Sequence, residues 1–108
     1  MIKKIDMPGF SSYYVSEYGR VFNEKSNGKM KELSISKVNG MLKVNLYSDS
    51  RKSLTKLVHT LVYEAFKGKD YSSIVFLDGD KENCHIDNLM SVEELRDFYN
   101  ANTKKKKN

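Results

Sequence analysis

The sequence predicts an α+β fold, a small antiparallel sheet followed by a helix-strand-loop-helix unit, and three observations carry that reading. Two alternating apolar runs flank Asn39-Gly40, the dipeptide best suited to a two-residue hairpin turn. At Val58 the apolar period changes from two to that of a helix. Near the C-terminus Ser91 and Glu94 have the spacing of a capping box.

The elements follow in order. "SSYYVSE" and "GRVFN" are short, aromatic and β-branched, with Gly19 between them, which predicts a hairpin. In "LSISKVNGMLKVNLY" the side chains of Leu33, Ile35, Leu42, Val44 and Leu46 form one buried face, and the other is expected to carry Lys37, Lys43 and Asn45. "SDSRKS" leads to a further strand near Lys52 to Leu57. Val58, Leu61, Val62, Ala65 and Phe66 then make one helical stripe that ends at Gly68. "SSIVFLDGD" is a short strand stopping at a turn on Asp78-Gly79, where glycine permits a positive φ. The last helix starts at Ser91, carries Val92, Leu95 and Phe98, and is expected to end at Asn102 before the lysines, which suit the negative end of its dipole. The sequence has no internal repeat.

At 108 residues the chain is one domain by length. Its net charge of +5 is unevenly spread. Residues 1–52 carry ten basic residues against five acidic, residues 53–103 five against nine, and Lys104 to Lys107 follow. Contact with phosphates is therefore expected from the N-terminal half and the tail. The single cysteine, Cys84, can form no internal bridge, the start "MIKKIDMPGF" has no signal-peptide core, and no apolar run reaches membrane-spanning length. A cytoplasmic location is expected.

Between two apolar segments, "VFLDGDKENCHIDNL" packs Asp78, Asp80, Glu82, Asn83, Cys84, His85, Asp87 and Asn88. Cys84 and His85 are adjacent, and no second pair with zinc spacing exists, so Cys84 is expected to be a buried free thiol. His59, on the first turn of its helix, is expected to bond to nearby backbone or solvent. Asn88 is expected to tie the loop to the strand through its side chain.

Taken together, "PGFSSYYVSEYGRVFN", "GKMKELSISKVNGMLKVNLYS", "LVHTLVYEAF" and "DGDKENCHIDNL" resemble the small HNH (His-Me finger) homing endonucleases of bacteriophages, with their N-terminal NUMOD4 module. The resemblance runs from about Pro8 to Asp97. It implies a NUMOD4-like β module over residues 1–52, a ββα-metal finger over residues 53–103 and a disordered Lys tail over residues 104–108, in one compact unit, encoded by a phage and acting in the host cytoplasm. In the family an acid and a histidine end the finger strand. The acid binds a divalent metal, the histidine is the general base, and a side chain on the next helix completes the metal site. Here Asp78, Gly79, Lys81, Asn83, Asn88 and Leu89 match the pattern, whereas Val75 and Phe76 occupy the two chemical positions and can neither bind metal nor accept a proton. Asp97 falls at the helix ligand and is a weak metal candidate by itself.

The resemblance thus implies a catalytically inactive DNA-binding protein with no cofactor, its candidate phosphate contacts being Arg20, Lys37, Lys43, Arg51 and Lys52. Two alternatives follow from the same residues. One is a regulator that binds a host or phage protein through the acidic half, including Glu93 and Glu94. The other is a Mg²⁺-dependent nicking enzyme with a rearranged site built on Asp97 with His85 or Asp78.

Overall fold

The computed structural model describes the backbone of residues 1–106 and the side chains of residues 1–101. Its first four strands, β1 (Ile2–Lys4), β2 (Tyr13–Ser16), β3 (Val21–Glu24) and β4 (Met30–Glu32), form an antiparallel sheet in sequential order. The expected hairpin is β2 with β3, where Val15 pairs with Val21 and both are fully buried. A second sheet holds β5 (Ser36–Val38), β6 (Met41–Tyr47) and β7 (Ser53–Leu57), and a third pairs β8 (Ile74–Phe76) with β9 (Leu89–Ser91).

The single small sheet expected from the sequence is therefore three sheets. Strands β1, β4 and β5 are three residues long and exposed throughout, so no alternation of burial announces them. Leu33 and Ile35 precede β5 and pack against the core from irregular backbone.

Asn39 and Gly40 have φ of 53° and 79°, the paired positive values of a type I′ turn. The register is Val38 to Met41, Lys37 to Leu42 and Ser36 to Lys43. Paired residues share a face, so Lys37 lies on the side of Leu42. It does not join Lys43 and Asn45 as expected, because the two-residue turn fixes the parity of β5 against β6.

Helix α1 (Val58–Lys67) packs against β1, β2, β6, β7 and β9. Its stripe of Val58, Leu61 and Val62 is buried with Val15, Val21, Val44, Leu46, Cys84 and Leu89 in one cluster, so both halves of the sequence share a core. Gly68 ends the helix with φ 97°.

Helix α2 (Val92–Lys106) begins with the predicted box. The Glu94 backbone N–H donates to Ser91 Oγ at 3.0 Å, and the Ser91 N–H donates to Glu94 Oε1 at 2.9 Å. The helix runs past Asn102, its expected end, to Lys106. The last part of the expected tail, residues 107–108, lies outside the described residues. Leu95 and Phe98 of α2 are exposed.

Candidate functional site

The finger is the β8–β9 hairpin with its long loop. Alternation along β8 sends Ile74 and Phe76 inward opposite the buried Ser91 and Leu89, and sets Val75 on the outer side opposite Met90. The Phe76 ring meets the imidazole of His59 edge-on, with centroids 4.7 Å apart at 61°. Val75 and Phe76, the two positions that the resemblance assigns to the metal ligand and the base, are half-buried apolar side chains.

His59 is 7 % exposed, and its Nδ1 has no hydrogen-bond partner. The Phe76 ring covers the imidazole, and among the described residues the expected bond to nearby backbone does not form at Nδ1. Burial holds its imidazole below the usual histidine range.

The loop is organised around Asp78. Its carboxylate accepts from the Asn83 side chain at 2.8 Å, the Asn88 side chain at 2.9 Å and the Asp80 N–H at 2.8 Å. The Asp78 N–H in turn donates to Asn88 Oδ1 at 3.0 Å, and Asn88 Nδ2 also reaches the Asn83 carbonyl at 2.9 Å. Asn88 therefore ties the loop to the strand as the sequence implied. The hydrogen bond from Asn83, followed by that from the Asp80 amide, holds the Asp78 carboxyl below its ordinary value.

His85 caps the short 3₁₀ turn Ile86–Asn88, its Nδ1 accepting from the Asp87 N–H at 3.0 Å, and its ring packs edge-on against Tyr18 at 4.6 Å. Cys84 is buried and unpaired, and desolvation pushes its thiol up to about 11. A Cβ at Gly19 would lie 3.0 Å from Cys84 Cβ, and the Ile86 N–H donates to the Glu17 carbonyl at 2.8 Å. The turn of the first hairpin and the finger loop are in direct contact.

A divalent cation does not fit these residues. Val75 and Phe76 offer no donor atom, the oxygens of Asp78 are engaged within the loop, and Asp97 is exposed on α2. Among the described residues no three His, Cys, Asp or Glu side chains gather as ligands.

The basic candidates divide into two sets. Arg20 grips Glu32 through two hydrogen bonds, Nε to Oε2 at 2.9 Å and Nη2 to Oε1 at 2.5 Å, and that interaction is the main reason the Glu32 carboxyl is lowered. Lys37 pairs with Glu82 of the finger loop at 2.6 Å. Lys43, Arg51 and Lys52 take part in no ion pair among the described residues. Lys43 shares the outer face of the second sheet with Asn45 and Tyr47, and Arg51, with φ 65°, and Lys52 form the turn between β6 and β7 at one end of it. The Asn45 Oδ1 accepts from the Thr55 hydroxyl at 2.5 Å across the strands, which orients its amide. Tyr47 and Thr55 were missed from the sequence. Continuing the alternation two residues past Asn45 points to Tyr47, whereas Thr55 depends on the β6–β7 register.

The acids considered for a protein partner have structural work. Glu93 accepts from the Ser72 N–H and hydroxyl at 3.2 and 2.5 Å. Glu94 accepts from the Tyr63 hydroxyl and from Lys67 Nζ at 3.2 Å as well as capping α2.

Two family models match the chain. The model described as HNH endonuclease covers residues 56–95, and the NUMOD4 motif covers residues 3–47. No curated protein matches. Among solved structures, that reported as "DNA binding and cleavage by the HNH homing endonuclease I-HmuI" is similar, with 27% identity and a TM-score of 0.71 over 96% of this chain. The chain spans 59% of the length of that protein. No helix among the described residues is long and apolar enough to cross a membrane. Two family segments thus stand in order along one fold, residues 3–47 matching the NUMOD4 motif and residues 56–95 the HNH endonuclease family.

Proposed function

We propose that this chain binds duplex DNA without cutting it. The observation that carries the reading is the pair Val75 and Phe76, seated among Met90, Leu89 and His59 where cleavage would need a metal ligand and a base. The solved relative is named for DNA binding and cleavage, and this chain shares its fold over 59% of that protein's length while Val75 and Phe76 offer no group for cleavage. Lys43, Arg51 and Lys52, unpaired on and beside one sheet, supply the phosphate contacts. Arg20 and Lys37 act instead as internal ties to Glu32 and Glu82. The protein works in the cytoplasm, in this reading as a phage product in its host, and without a metal cofactor. The alternative of a protein partner draws no support from Glu93 and Glu94, which are engaged within the fold.

The test is binding of a labelled duplex across a salt series. Affinity falls steeply with salt, and Lys43→Glu with Arg51→Glu lowers the salt slope by about 2, one for each phosphate that is no longer neutralised. Binding that ignores salt, or that survives the double reversal unchanged, overturns the proposal. Plasmid nicking with Mg²⁺ or Mn²⁺ that disappears in Asp97→Ala overturns the non-cleaving part.

A further inference from the structure

We infer that Asn39 is a site of spontaneous deamidation and that the carboxylate so formed weakens the grip on DNA; the second half of this inference rests on the function proposed above. The chain contains two Asn-Gly sequences, Asn27-Gly28 and Asn39-Gly40. In each, the backbone nitrogen of the glycine can attack the asparagine Cγ. A C–N bond forms to close a succinimide, the carboxamide C–N bond breaks, and ammonia leaves with the amide proton. Water then opens the ring at either carbonyl to give aspartate or isoaspartate. The first step needs a free glycine N–H and a free carboxamide, and glycine has no side chain to obstruct it.

The two sites differ in both respects. Gly28 N–H donates to the Lys25 carbonyl at 2.8 Å, and Asn27 Oδ1 accepts from the Lys29 N–H at 3.0 Å. Nucleophile and electrophile are both held. At the other turn the ladder closes on Val38 and Met41, leaving Gly40 outside it. Among the described residues neither the Gly40 N–H nor the Asn39 side chain forms a hydrogen bond, both residues are exposed, and open space surrounds Gly40.

The product matters because of its place. Lys37 and Lys43 flank the turn in the β5–β6 register, so a new carboxylate opposes phosphate close to a proposed contact. Isoaspartate also adds a backbone carbon to a two-residue turn, which disturbs the pairing of Val38 with Met41.

The full chain is incubated in mildly alkaline buffer, digested with trypsin and mapped by mass. The peptide of residues 38–43 gains about one dalton several-fold faster than the peptide of residues 26–29, and in denaturant the two rates converge. Asn39→Asp binds the duplex several-fold more weakly than wild type at low salt. No gain at Asn39, an equal or faster gain at Asn27 in the folded chain, or wild-type binding by Asn39→Asp overturns the inference. If the unmodified chain binds no duplex, the proposed function fails while the mass map still decides the modification.

Discussion

The ring of Phe76, at the end of β8, rests edge-on against the imidazole of His59, 4.7 Å between centroids. An aromatic there encloses a histidine whose Nδ1 is left without a partner.

That enclosure makes stability depend on pH. Burial lowers the folded-state pKa of His59, so the unfolded chain takes up the proton first, and stability falls as pH drops below about 6.5. His59→Leu should remove this part of the acid sensitivity. It should also leave neutral-pH stability within about 1 kcal/mol of wild type, since an orphaned polar atom goes with it. Urea midpoints at neutral and mildly acid pH measure both effects, and an unchanged pH profile in the variant would refute the assignment.

Asn88→Ala removes three hydrogen bonds that close the finger loop onto Asp78 and Asn83. The part-buried groups left unpaired make a loss of about 2 kcal/mol the expected result. Chemical denaturation reads this directly, and hydrogen exchange should locate the loosening at the amide of Asp78.

Glu94 accepts hydrogen bonds from three partners. Burial would raise its pKa, but the hydrogen bonds from Tyr63, the Ser91 N–H and Lys67 outweigh that and bring it to about 2. A depressed carboxylate contributes stability above its unfolded pKa, and the contribution is lost as pH falls from about 4.5 toward the folded value. Glu94→Ala should cost about 1 kcal/mol for the cap, with the deficit against wild type shrinking in acid. A deficit that stays constant down to the acid limit would rule out the charged role.

Gly19→Ala tests the contact between the first hairpin and the finger. Its φ of +88° and the 3.0 Å approach to Cys84 Cβ both penalise a side chain. A loss of about 2 kcal/mol is expected, whereas the same change at Gly9, where a Cβ would meet nothing within 4 Å, carries the φ strain alone. Equal thermal shifts for the two variants would show that the approach to Cys84 contributes nothing.

What the sequence conveyed best was local. Asn39-Gly40 and the Ser91–Glu94 box are short-range devices whose geometry depends on a few neighbouring residues, and both form as expected. Lys37 was misplaced because its face depends on which residues close the turn. The ion pairs of Arg20 and Lys37 were hidden because their partners, Glu32 and Glu82, are brought up only by strand pairing and by the finger loop. The contact of His59 with Phe76 was equally hidden, since it arises across the fold and not from anything near it in sequence. The identities of Val75 and Phe76 were legible at once, but their opposite orientations needed the β8–β9 register.

The meeting of Gly19 with Cys84, and of Glu17 with Ile86, bears on how such a protein can be rebuilt. A chimera joined between the NUMOD4 segment and the HNH segment would match a donor turn to a foreign loop at a place where an added carbon at residue 19 comes within 3.0 Å of Cys84 Cβ. Residues 17–19 and 84–86 therefore have to be exchanged together, and for recombination the two named motifs behave as one heritable piece.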